Sequence, residues 1–425
     1  MALIAAAATT NVRADDWPQW RGPARDGIWR ETGIVETFAK SKTDPKWSVP
    51  IAGGYSGPTV AEGRVYVMDR LVDPRQVERV HCFDIRDGRK IWSHEYEAVY
   101  KVDYDAGPRA NVTIDGGRAF SIGAMGHFHC LDARTGEVLW KKDLNAEYKI
   151  RMPVWGISGA PLIEGNRVIV QIGGEGESCL VAFNKVNGEE LWRSLDDTAS
   201  YSAPVIFERE GNRILVCYTA SYVVGADPAT GRLEWNIPFP AKRVVIGIAT
   251  PVLEGDYLFL TNFFDGSLML RLSKDGKSAT ELWRRGGKDE QHTDALHAII
   301  STPWLAGDYI YGVDSYGELR CLDAKTGDRI WESDKAVRHE RWSTIHFVWN
   351  EPQQRMWMFN EEGDLIIARL TPKGYEEISR THILKPTRDQ LPSRRGGVCW
   401  SHPAFADRSV FARSDKELVC VDLAK

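Results

Sequence analysis

Seven side chains of this 425-residue chain have types suited to holding a ligand: Arg109, Trp155, Tyr201, His297, Trp342, Trp400 and His402. Indole and phenol rings offer flat apolar faces, a guanidinium brings a fixed cation, and an imidazole can donate or accept a hydrogen bond. Gathered in one place, they would stack on and hydrogen-bond a planar, anionic or sugar-like ligand. Tyr55, Ser158, Ile248, Arg341, Arg394 and Arg395 hold comparable positions. The same types also serve packing, and a single histidine such as His402 is as readily a satisfied structural group. No catalytic or metal-ligating residue is expected. The chain has no nucleophile elbow, helical metal-ligand pair or phosphate loop, and the stretches IGGEG and GGRA are glycine turns without a following helix.

These residues are far apart in the chain, so the elements that carry them must bring them together. Most stand just upstream of a small residue and Pro that lead into an apolar run: SGPTV, GAPLI, SAPVI, ATPVL, STPWL and SHPAF. Those runs belong to a repeat. CLDARTGEVLW at 130–140 returns as CLDAKTGDRIW at 321–331, with seven of eleven letters unchanged. Looser copies open at Cys82, Ala182 and Gly225, another ends at Trp283, and ARLTPKGYEEI has Ile378 where the Trp is expected. A last copy starts at Cys420.

The closing residues Trp92, Trp140, Trp192, Trp235, Trp283, Trp331 and Ile378 lie 43–52 residues apart, and Trp47 lies 45 before the first. Eight units fit between Trp47 and Lys425. Each holds four short strand patterns separated by turns and no stretch of helical period, which predicts an all-β, eight-bladed propeller of four-stranded blades. The last unit lacks its Trp-bearing strand, and KWSVPI at 46–51 supplies one without a blade. The N-terminal strand over 45–50 should therefore close the ring beside residues 418–423, removing both exposed edges.

The repeat resembles the pyrrolo-quinoline-quinone (PQQ)-type family, whose A-x-D-x-x-T-G-x-x-x-W signature is the tryptophan docking motif. The resemblance covers residues 45–425 and implies that the six repeat tryptophans pack between position one of their own motif and a glycine peptide of the neighbouring blade. Quinoprotein alcohol dehydrogenases of that superfamily use a vicinal cysteine pair, a Trp and a Glu/Asn/Asp calcium set. Here no two cysteines are adjacent, and the calcium set matches no positions. In size and single-ring layout the chain is similar to BamB-like proteins, non-enzymatic propellers of outer-membrane assembly. The resemblance implies an exported binding or scaffolding protein, with a ligand or partner at one face of the funnel and no cofactor. The alternative is a funnel-centred oxidoreductase of alcohols or sugars, using PQQ with calcium.

Composition sets further bounds. Fifty-four basic against 59 acidic side chains give a net charge of −5 without long single-sign runs, which offers nucleic acid no electrostatic footing. No apolar run reaches the ~18 residues of a membrane helix. Residues 1–14, MALIAAAATTNVRA, read as a signal peptide without a basic start, placing the protein in the periplasm or outside the cell. Its partner would be an envelope or secreted protein, or a small polar ligand, with the chain itself a monomer. Cys82, Cys130, Cys321 and Cys420 share one register in different blades and read as buried thiols. Residues 15–44 are rich in Trp and should pack along the outside or base of the ring. Their W-P-Q-W-R-G-P opening is similar to that of exported repeat proteins of planctomycete-like bacteria.

Overall fold

A computed structural model describes residues 16–104, 106–387 and 394–425; the expected signal peptide lies outside them. Eight sheets form the blades of a propeller, seven of four antiparallel strands and one whose four antiparallel strands carry a short fifth, parallel one. Their innermost strands neighbour one another around a channel. Blades 1 to 7 span 59–97, 113–143, 162–194, 205–238, 252–285, 304–333 and 345–382. Blade 8 joins both ends of the chain: Trp47–Pro50 pairs with Glu417–Asp422, Trp47 opposite Cys420 and Val49 opposite Leu418. The ring closes where the repeat count places the closure. The one helix among the described residues is a single turn, Leu144–Tyr148, whose first turn is capped by the Asp143 side chain.

The repeated letters have local causes. In the D-x-x-T-G turn of blade 2, Asp132 accepts backbone hydrogen bonds from Arg134 and Thr135 at 2.9 and 2.8 Å, and Asp323 does the same in blade 6. The glycine that follows takes a positive φ, +78° at Gly136 and +76° at Gly327, which an L side chain resists. Each closing tryptophan stands opposite position one of its own motif, as with Cys82 and Trp92, Cys130 and Trp140, and Cys321 and Trp331. Its indole N–H donates to a carbonyl in the next blade's turn: Trp92 to Ala133, Trp192 to Pro228, Trp283 to Ala324. A Cβ at Gly136, Gly188 or Gly231 would fall within 3 Å of the indole facing it. All seven cysteines are buried and unpaired.

Blade 7 departs from the expected pattern. Its third and fourth strands turn tightly, Thr371 opposite Gly374, so the register shifts by one and Ser379 stands opposite Ile367 where a Trp would stand. Ile378 occupies the bulge, the place of Ile91 in blade 1. Phe38 from the N-terminal segment packs here, its backbone N–H on Ser379 Oγ at 2.8 Å and its ring 5.8 Å from that of Trp357.

The tryptophan-rich segment also departs from expectation. Residues 34–46 do follow the base and outside, with Ile34 bridged to Ala424 and Lys42 to His382. Residues 16–31 instead loop up into the channel from the face that carries the D-x-x-T-G turns. Trp17 pairs with Val60 of the first inner strand, the Ile114 N–H donates to Pro18 O, and Ile28–Trp29 runs parallel to the inner strand of blade 7. Trp17 and Trp29 are fully buried. Arg21, Gly22, Arg25 and Gly27 all take positive φ, which folds the loop back on itself. The channel is plugged by its own chain.

Candidate functional site

Eight segments, each leading from the outer strand of one blade to the inner strand of the next, meet at the mouth of the channel. Tyr55, Arg109, Trp155 and Tyr201 come from the first four, and Ile248, Ile300, Trp342 and Trp400 from the other four. Together they wall a cup of about 940 Å³, counted out to its open mouth. Trp20 of the plug, with Ala160, Ala203 and His402, lines it at the depth of the inner strands, and the Trp20 indole donates to Thr250 Oγ1 at 2.8 Å. The site is thus a blind cup rather than an open pore.

The walls are held in place by contacts among themselves. Trp155 and Tyr201 lie with ring centroids 5.2 Å apart, and the Trp155 backbone N–H donates to the Tyr201 hydroxyl. Trp342, at φ +68°, meets Tyr104 edge-on at 5.6 Å and Trp400 at 6.4 Å. Trp400 in turn stacks on Tyr55 at 6.2 Å. Arg341 lies over the Trp342 ring at 4.3 Å and pairs with Glu290 at 2.6 Å, so its charge is compensated at the rim.

Arg109 is different. Its guanidinium donates to the carbonyls of Gly107, Asp103 and Tyr104 at 2.6–3.0 Å and lies 4.8 Å from the Tyr55 ring centroid. Among the described residues no carboxylate forms an ion pair with it. Burial lowers its pKa, but an arginine remains charged at neutral pH.

Behind Trp400 lies a buried ion pair. Arg394 donates to both oxygens of Glu361, at 2.7 and 3.1 Å, and the Trp400 indole donates to Glu361 Oε2 at 3.0 Å. Burial pushes the Glu361 carboxyl up to about 7, while Arg394 and Trp400 pull it back. His402 donates from Nδ1 to Pro403 O, and its Nε2 has no partner among the described residues. Burial, with His346 and Arg21 nearby, holds it neutral, well below the ordinary histidine range.

Six of the seven candidates therefore meet at one cup: Arg109, Trp155, Tyr201, Trp342, Trp400 and His402. His297 does not line it. It accepts from the Gly287 N–H at Nε2, donates to Phe263 O from Nδ1, and is buried between blades 5 and 6. Of the secondary positions, Tyr55, Ser158 and Ile248 line the cup, whereas Arg394 stands behind it and Arg395 bonds His339 O. Reasoning from sequence missed Trp20, Tyr104 and Ile300. The aromatic density around Trp20 was the available signal, but nothing in it told that the segment enters the channel.

A family model described as outer membrane protein assembly factor BamB matches residues 76–333. The outer membrane protein assembly factor BamB of Burkholderia pseudomallei (strain K96243) is 22% identical over 154 residues, 36% of this chain and 39% of that protein. The match thus spans well under half of that relative's length. Among solved structures, BamB from Moraxella catarrhalis matches with a TM-score of 0.58 over 88% of this chain and 95% of that one, at 15% identity. The computationally designed Ika8 protein gives 0.55 over 89% and 99%, at 10% identity. At such identities the likeness is one of fold.

Proposed function

The chain belongs to the family described as outer membrane protein assembly factor BamB, and from that premise we propose that it is a non-catalytic binding or scaffolding propeller of the cell envelope. Its partner is a protein engaged in outer-membrane assembly, met on the face that carries the cup. The observation that carries this reading is the wall itself. All eight blades contribute half-exposed or buried side chains to one mouth, held by ring contacts. Rigid aromatic side chains around a concavity are the usual anchors of recognition. Among the described residues no helix is long and apolar enough to cross a membrane.

A calcium–quinone centre fits these residues poorly. Calcium is held by carboxylate and amide oxygens, and among the described residues no Asp, Glu, Asn or Gln lines the cup. Among the described residues no cluster of His, Cys, Asp or Glu could hold a metal. Titration with the quinone, Ca²⁺ and an artificial electron acceptor separates that reading from the binding one.

The partner reading is tested by photo-crosslinking in the envelope. Val99 and Val154, exposed in the segments that also carry Arg109 and Trp155, report the mouth face; Val138 and Val186, at the turns, report the opposite face. Crosslinks to one protein species from the mouth face alone are expected. Equal crosslinking from the turn face, or none from the mouth, overturns the assignment.

A further inference from the structure

The cup has a chemical character narrower than "aromatic". Rings on two sides and the isoleucines Ile246, Ile248, Ile299 and Ile300 on a third present flat apolar surface. An aromatic box of this kind would, by itself, suit a quaternary ammonium, held by cation–π attraction. Arg109 decides the sign against that. It is the one charged side chain among the described residues lining the cup, and its hydrogen bonds run only to backbone carbonyls. A second cation would meet a positive charge that no ion pair among the described residues offsets, in a partly desolvated space where repulsion costs more than in water.

The hydrogen-bond inventory points the same way. Among the described residues no carboxylate or side-chain amide lines the walls. The side-chain oxygen acceptors in the described lining are the hydroxyls of its tyrosines and Ser158, and a sugar's several hydroxyls would compete for these few, each bond left unmade being expensive. A carboxylate has only acceptors to offer. The plug sets the remaining limit, because a cup closed at Trp20 takes a ligand that ends inside it.

We propose that the cup binds a small free acid, a single carboxylate on a flat apolar body, with the carboxylate on Arg109 and the body between the Trp155–Tyr201 and Trp342–Trp400 walls. The proposal rests on reading the cup-bearing face as the binding face, but it does not depend on the partner protein, and the crosslinking above does not depend on the acid.

Calorimetry on the full chain with three matched probes tests it: 2-naphthoate, 2-naphthylmethanol and 2-naphthyltrimethylammonium. Naphthoate should bind at least tenfold more tightly than the alcohol, the size of a charge-assisted contact, and the ammonium most weakly. Arg109→Met should remove the preference for the acid while leaving the alcohol's affinity, and Arg109→Lys should retain part of it. Because Arg109 also ties its own loop, Ser158→Trp provides a second variant that fills the cup without touching that residue, and it should abolish binding of all three probes. No saturable binding of naphthoate, equal or tighter binding of the ammonium, or a preference that survives Arg109→Met overturns the proposal. Undiminished binding in Ser158→Trp overturns its location.

Discussion

The seam between blades 1 and 2 allows the tryptophan girdle to be tested as a pairwise interaction rather than as a burial. A Cβ built on Gly136 would lie 2.7 Å from Trp92 Cδ2 and 2.8 Å from its Cε3, and Gly136 sits at φ +78°. Gly136→Ala therefore carries two costs: about 1–2 kcal/mol for an L residue in the left-handed region and about 1–3 kcal/mol for overpacking against the indole. Trp92→Ala alone should cost about 3–5 kcal/mol, as emptying a buried aromatic site does. In the double variant the indole is gone, so only the backbone cost of replacing Gly136 remains. The two losses should thus fall short of additivity by about 1–3 kcal/mol. Gly255→Ala is the control: φ is +57° and nothing lies within 4 Å of its added Cβ, so it reads the backbone cost alone. Denaturant unfolding of the four proteins measures the cycle, with an unchanged m-value required for the comparison. Additivity within about 0.5 kcal/mol would mean that Trp92 does not rest on the glycine peptide, and the docking assignment would fail with it.

Removing residues 1–50 should lower the melting temperature well below that of a chain lacking 1–31, because only the longer deletion strips Trp47–Pro50 from blade 8 and reopens the ring; equal melting temperatures would refute closure as a source of stability. At the blade 7 seam, Phe38→Ala should cost about 2 kcal/mol and Ile378→Ala about 1 kcal/mol or less, less than full core burial because both sites are only half-buried; the reverse order in unfolding experiments would restore Ile378 as the docking residue. Acidification from pH 6.5 to 4 should destabilise the fold through His346, which burial holds down at about 4. In that window the unfolded imidazole takes a proton that the folded one refuses, worth about 3 kcal/mol over the full interval. Glu361, raised to about 7, acts oppositely, since the folded carboxyl gains its proton first as pH falls below 7. Melts across this range should therefore be flatter for His346→Gln and steeper for Glu361→Gln than for the unchanged chain, and parallel curves would sink the assignment.

Legibility in the sequence followed the reach of each physical cause. The D-x-x-T-G turn is local: an Asp side chain bonds backbone two and three residues on, and a glycine takes a positive φ, so its letters repeat and can be counted. Closure was readable because a strand without a blade and a blade without a strand must meet. Blade 7 was misread because the turn, not the closing letter, sets the register: Thr371-Pro372-Lys373-Gly374 is a two-residue hairpin, and the shift moved Ile378 into the bulge. The walls of the cup were partly legible, since a residue just before an inner strand points toward the channel mouth in every blade. His297 has that position too, but Phe263 and Gly287 take both of its ring nitrogens. The plug was not legible. Its entry depends on Arg25 reaching the carbonyls of Ala160, Pro161 and Pro204, more than 130 residues away, and no local pattern announces such partners.

That plug bears on how the two ends of the molecule divide their tasks. Arg25 is fully buried, its pKa lowered by burial to about 9 and still charged at neutral pH, and it bonds three backbone carbonyls and Gln19 rather than a carboxylate. A cation in that position bonds carbonyls of two successive blade entries, Ala160 and Pro161 before blade 3 and Pro204 before blade 4, and buried carbonyls left unbonded are costly. The loop therefore does for the inner edge of the ring what the tryptophan girdle does for the outer seams: it ties successive blades through contacts that cross between them. Both devices lie toward the turn face or inside the channel. The mouth face is left with side chains fixed from behind, as Glu361 fixes Trp400 and the loop carbonyls fix Arg109, while their exposed sides remain unused by the fold. The contacts that tie blade to blade thus lie below the cup, where a ligand or partner at the mouth would not compete with them.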